Sequence, residues 1–232
     1  MAGYARDERR ALCDLLDQVG PDAPTLCAGW TTYDLAAHLV TRDRVPSAGP
    51  GLIIPAFHGR TERAERAQRA AHPYPRLVEM VREGVPRWHP ARLGVVDETV
   101  NLVEFAIHHE DVRRAVGMRP ARRLPAAEAD ALWRRVKMMG KVGFRRLDVG
   151  VRAERSDVDN SDRTVRGASP DVAEVDTSGR QLQLRRGAPV VTLYGAPLEL
   201  LMFSFGRQEA ADVELRGDAA AIAALTAARI GP

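Results

Sequence analysis

The chain has 232 residues, 45% of them hydrophobic and 28% charged, with a formal net charge of +3. That balance is ordinary for a globular protein of one large or two small domains. No apolar run approaches the ~20 residues that span a bilayer, and MAGYARDERRALCDLL has no apolar signal core, so neither membrane insertion nor export is expected and the expected location is cytoplasmic.

The basic residues are nearly all Arg, with Lys only at Lys137 and Lys141. Charges of both signs interleave in ERRALCDLLD and TERAERAQR, which predicts solvated helix faces rather than a nucleic-acid surface. Cys13 and Cys27 form no disulfide framework and lack metal-site spacing, so free thiols are expected.

Along the chain, Leu12, Leu15, Leu16 and Val19 repeat with helical period and predict a first helix over 4–19. GPDAPTLCAG reads as a turn-rich connection. A second helix follows in WTTYDLAAHLVTRD, where Thr31 three residues before Asp34 makes a capping-box pattern. VPSAGPGLIIPAFHG is rich in Pro and Gly and predicts a long, lid-like loop. Two shorter helices are expected at about 60–71 and 75–84, a long one at about 97–116, and another at about 126–147 carrying Leu132, Val136, Met139 and Val142 or Phe144. After Asp148 the texture changes. VGVRAERSD, RTVRGA, AEVDTSG, RQLQLRRG and PVVTLYG are short, β-branched or alternating, and read as strands. PLELLMFSFGRQ predicts a helix, VELRGD a strand and DAAAIAALTAAR a last helix. The expectation is an α part over 1–148 and a small α+β part over 149–232.

The helix near the middle, NLVEFAIHHEDVRRA, carries the chemistry. Spacings of four and three place Glu104, His108 and Asp111 on one stripe. Leu102, Val103, Phe105, Ala106, Ile107 and Val112 make the surrounding helix apolar, so burial is expected. Buried carboxylates and imidazoles cost several kcal/mol, roughly, unless something pairs with them. A metal ion is the simplest partner. His38, in DLAAHL with Leu35 and Leu39 around it, is the best third ligand, because two helices can feed one core site. Two His and one carboxylate leave coordination positions open, which suits catalytic zinc and equally non-haem Fe(II). Asp111 would then orient a histidine or act as an acid or base. His109 and Glu110 point elsewhere and are expected at the surface or in support. His58, His72 and His89 fall in loop-like contexts and are expected to be exposed. Cys27 and Trp30 are expected to pack, as are Met138, Met139, Met202, Phe203 and Phe205.

GWTTYDLAAHL together with E-x3-H-x2-D resembles the DinB-like metal-dependent bundle, and more narrowly the mycothiol-dependent maleylpyruvate isomerase family, in a subfamily marked by HHEDVRR. VTLYGAPLELLMFSFGRQEAADVELRGD is similar to the small α+β, sterol-carrier-like domain that follows the bundle in that family. The resemblance implies a four-helix bundle with His38, Glu104 and His108 as zinc ligands. It implies mycothiol as a metal-bound thiolate acting on a small electrophile, by isomerisation or S-transfer, in a monomer or homodimer. An arginine of the C-terminal domain falls on Arg207. Arg207, or Arg113 and Arg114, would hold a substrate or cosubstrate carboxylate. The alternatives are a metal hydrolase with Asp111 or His109 as base, and a non-catalytic, metal-stabilised module binding a small molecule or lipid.

Overall fold

A computed structural model describes residues 3–45, 58–85, 95–118, 120–158 and 179–231, with side chains left out at 58 and 95–100. The lid-like loop, the strands expected at RTVRGA and AEVDTSG, and His89 lie outside the described residues, as does the side chain of His58.

Contacts divide the chain into two compact units, Met1–Pro120 and Ala121–Pro232. The first holds α1 (Tyr4–Val19), α2 (Thr32–Arg44), α3 (His58–Ala71), α4 (Tyr74–Glu83) and α5 (Val95–Ala115). The capping box at α2 forms as its residues suggest, with Asp34 Oδ2 accepting from the Thr31 backbone N–H at 2.9 Å. Helix α1 packs on α5 and α4, and α2 packs on α3 and α4. Leu12, Leu16, Leu35, Leu39, Leu77, Val81 and Phe105 fill the space between them and are fully buried. Burying each such side chain contributes about 1.5–3 kcal/mol.

The second unit comprises α6 (Ala126–Gly143), β1 (Gly150–Arg155), β2 (Gln181–Arg185), β3 (Val190–Gly195), α7 (Pro197–Ser204), β4 (Glu214–Arg216) and α8 (Ala219–Ala227). The strands form one sheet in the order β2-β1-β3-β4. Strand β1 runs antiparallel to β2 and parallel to β3, and β3 runs antiparallel to β4. Val151 opposite Val191 and Ala153 opposite Leu193 form the buried face. The architecture is therefore helical first and then a small mixed sheet with helices.

By contact, helix α6 groups with the sheet, and the two units divide at 120/121. Two glycines explain its position. A Cβ at Gly143 would clash with the Ser204 backbone carbonyl, so glycine is required where α6 meets α7, while one at Gly140 would stand 2.8 Å from Leu184 Cδ1 and press that side chain aside. Phe144 is fully buried while Val142 is 40% exposed, which decides between the two. Met138, expected in the core, is 48% exposed, because the turns of α6 that face β2 and α7 carry Val136, Gly140 and Gly143 instead. No helix among the described residues is long and apolar enough to cross a membrane.

Candidate metal centre

Helices α2 and α5 carry the candidate ligands, all within the first unit. His38 sits mid-α2, and Glu104 and His108 sit one turn apart on α5. His38 Nε2 and His108 Nε2 each lie 3.3 Å from Glu104 Oε1. One ligand atom from each of the three residues falls within 4.8 Å of the others. His38 is 9% and His108 8% exposed.

The outer nitrogens of both rings are engaged by carboxylates. His38 Nδ1 is 2.8 Å from Glu65 Oε1 on α3, and His108 Nδ1 is 2.9 Å from Asp111 Oδ2. A neutral imidazole that donates Nδ1–H to a carboxylate keeps a lone pair at Nε2. Both Nε2 lone pairs then face Glu104 Oε1, and three acceptors converge with no hydrogen between them. Such a cluster requires either extra protons or a cation. Ligands held at ~2.0–2.1 Å from a tetrahedral ion stand about 3.3 Å apart, so the observed separations match a divalent metal site. Carboxylates behind the ligand imidazoles are the usual support of such a site. The residues present fit a metal ion.

The electrostatics of the ion-free cluster lead to the same conclusion. Burial opposes charge on His108, yet Asp111, Cys27 and Glu104 together hold its pKa well above the ordinary imidazole value. Burial likewise opposes charge on His38, and Glu104 and Glu65 outweigh it and raise its pKa. Burial would raise the Glu104 pKa, but Arg42, then His108 and His38, hold it well below the usual carboxylate range. Arg42 Nε lies 3.6 Å from Glu104 Oε1, one turn beyond His38 on α2. The pocket thus attracts positive charge, which protons or a metal can supply.

Cys27 adds a second cluster that shares His108. Its Sγ is 3.3 Å from Asp111 Oδ2, and Cys27, His108 and Asp111 also meet the geometry of a metal-binding group. The Leu26 N–H donates to the Asp111 carbonyl at 3.1 Å and fixes this loop against α5. Trp30 stacks near His38, with ring centroids 5.0 Å apart. Trp30 and Glu65, both in contact with His38, also wall a cavity of about 390 Å³ whose other lining includes Asp34, Glu62, Arg66 and Arg69.

The remaining expected site residues fall elsewhere. His109 and Glu110, expected at the surface, are 8% and 0% exposed. His109 Nδ1 is 3.1 Å from Glu8 on α1, and Glu110 accepts from Arg113 and Arg114 at 3.0 and 2.7 Å. They are buried because α5 is covered by neighbours well beyond its ligand stripe. Arg113 and Arg114 are accordingly engaged by Glu110 rather than presented to a ligand. Arg207 lies in the second unit, where its Nη1 donates to the Phe205 carbonyl at 2.8 Å. His72 is half-buried, with its carbonyl accepting from Tyr33. Glu65, Arg42 and Cys27 were not singled out for this centre from the sequence; the position of Arg42 one turn beyond His38 was the readable signal.

Residues 3–98 match the family model described as the mycothiol maleylpyruvate isomerase N-terminal domain. Over these residues the chain is similar to the N-terminal domain of that family. The match takes in His38 and Glu65 and stops short of Glu104 and His108. No curated protein and no solved structure matches the chain. The similarity to this family's N-terminal domain and a residue cluster able to hold a metal both fall within the first unit.

Proposed function

We propose that the protein is a zinc-dependent enzyme that uses a low-molecular-weight thiol, mycothiol by family, for isomerisation or S-transfer on a small electrophile. The observation that carries this reading is the convergence of His38 Nε2, His108 Nε2 and Glu104 Oε1, each imidazole backed by its own carboxylate. Zinc fits the two imidazoles and one carboxylate, though Fe(II) shares that preference. A bound divalent ion with an open position supplies the charge that keeps a coordinated thiol as thiolate at neutral pH.

The chain's own residues do the rest. Glu65 and Asp111 hold the two imidazoles in the tautomer that turns Nε2 inward. Arg42 keeps Glu104 ionised and available as a ligand. Asp111 Oδ2, bonded to His108 Nδ1 and close to Cys27 Sγ, can hold or release a proton at the edge of the site. The polar cavity beside Trp30 suits a hydrophilic thiol better than a hydrocarbon chain.

Metal analysis of the purified protein and of His108→Ala tests this reading. We expect about one zinc per chain in the natural protein and a large loss in the variant. Equal, near-zero metal in both refutes it. Turnover of an electrophile that is indifferent to added mycothiol would retain the metal and remove the thiol.

A further inference from the structure

The second unit contains a cleft of about 460 Å³ lined by Lys137, Lys141 and Arg145 from α6 and its end, and by Arg185 and Arg186 from β2 and its end, over a floor of Leu184. Its size falls within the ~300–1,000 Å³ range of small-ligand sites. The chain's only two lysines both line it. Lys137, Lys141 and Arg145 repeat every four residues and form one cationic stripe, an arrangement in which like charges repel. Among the described residues no carboxylate lines the cleft. The described ion pairs of this unit join Arg155 to Asp130 and Asp157, and Arg216 to Glu214; none involves these five cations.

Two features show that the cleft is built. Gly140, between the two lysines, permits the close approach of α6 to Leu184, and this brings the stripe alongside Arg185 and Arg186. Arg185 is anchored by its Nη1 donating to the Arg145 carbonyl at 3.1 Å, while its Nε is shielded from solvent with no hydrogen-bond partner among the described residues. A buried guanidinium donor without an acceptor is costly, and an anion oxygen would satisfy it.

We propose that this cleft is a binding site for a small polyanion carrying two or more phosphate groups. Lysine point charges on one wall and a guanidinium fork on the other suit phosphate oxygens separated by a few ångströms. A small ligand, rather than a nucleic acid, is favoured by the confined volume and by a net charge of only +3 over the whole chain. The proposal is independent of the metal centre.

Inorganic pyrophosphate is the test probe, titrated calorimetrically into the full-length protein at about 150 mM salt. We expect saturable binding that Lys137→Gln/Lys141→Gln weakens about tenfold or more. Arg185→Lys, which keeps the charge but lacks the Nε donor, should also weaken it. Arg10→Gln/Arg63→Gln, with the same loss of net charge on the other unit, should leave it unchanged. Equal weakening by both double variants reduces the effect to bulk charge and overturns the proposal, as does an absence of saturable binding. A short oligonucleotide that binds through the same lysines more tightly than pyrophosphate overturns the small-ligand assignment. Both double variants alter exposed side chains, so an unchanged melting temperature is expected and verifies folding.

Discussion

Four consecutive polar residues on α5, His108 to Asp111, are engaged in three different directions. Successive positions on a helix turn by about 100°, so His108 faces Glu104 and Asp111, His109 faces Glu8 on α1, Glu110 faces Arg113 and Arg114, and Asp111 backs His108. Only the first and last contribute to the candidate centre, and this separation makes their roles testable one at a time. Asp111 is fully buried, whereas the Glu65 side chain is 16% exposed. Water screens the charge of Glu65 more than that of Asp111. Replacing a carboxylate behind a metal-bound histidine costs ~10–100-fold in metal affinity. Glu65→Gln is therefore expected near the lower end of that range and Asp111→Asn near the upper, in competition with a chromophoric zinc chelator. Unchanged affinity in both variants would mean that the two carboxylates do not support metal ligands.

At the scale of elements, what the sequence revealed depended on how local the cause was. The α2 cap needs only Thr31 and Asp34, three residues apart, and it forms as expected. Its pH dependence follows from the same atoms. Partial burial works against ionisation of Asp34, but the Thr31 backbone N–H, Arg69 and the Thr31 hydroxyl outweigh it and depress the folded pKa below 3.8. A depressed carboxyl contributes stability that is present above the unfolded pKa and is lost as pH falls through the folded value. Asp34→Ala should cost about 1 kcal/mol at pH 7, and urea unfolding should show that difference shrinking as pH drops below ~4. A difference that stays constant down to pH 3 would show that the ionised carboxylate is not its source. The E-x3-H pair was legible for the same reason of locality, and the choice of His38 as its partner rested on an apolar context. Glu65 was hidden in TERAERAQR, which reads as a solvated face, because its burial against His38 exists only once α3 lies on α2. The burial of His109 required Glu8, 101 residues away. The boundary near 149 followed the change from helical to strand texture, whereas the grouping of α6 is set by Gly140 and Gly143 against β2 and α7, contacts that no local pattern encodes.

On the scale of the whole molecule, the candidate centre draws every residue from the unit Met1–Pro120, and the sheet with its basic cleft belongs to Ala121–Pro232. A metal that binds only the folded first unit stabilises it by mass action, about 2.7 kcal/mol at a free concentration one hundred times Kd. Amide exchange reports such stabilisation segment by segment, because protection measures the free energy of the opening that exposes each amide. Adding zinc to the metal-free protein should slow exchange in α2 and α5 and, through Glu65, in α3. Exchange in β1, β2 and β3 should be unaffected, since none of these strands supplies a ligand or a residue that supports one. His108→Ala should abolish the zinc effect on α2 and α5 and leave sheet protection as it was. Pyrophosphate should produce the complementary pattern, slowing exchange in β2 and the end of α6 and leaving α2 and α5 untouched. Equal slowing of both units by either ligand would show that they open as one cooperative body. Slowing by zinc in the sheet alone would relocate the metal and refute the assignment of His38, Glu104 and His108.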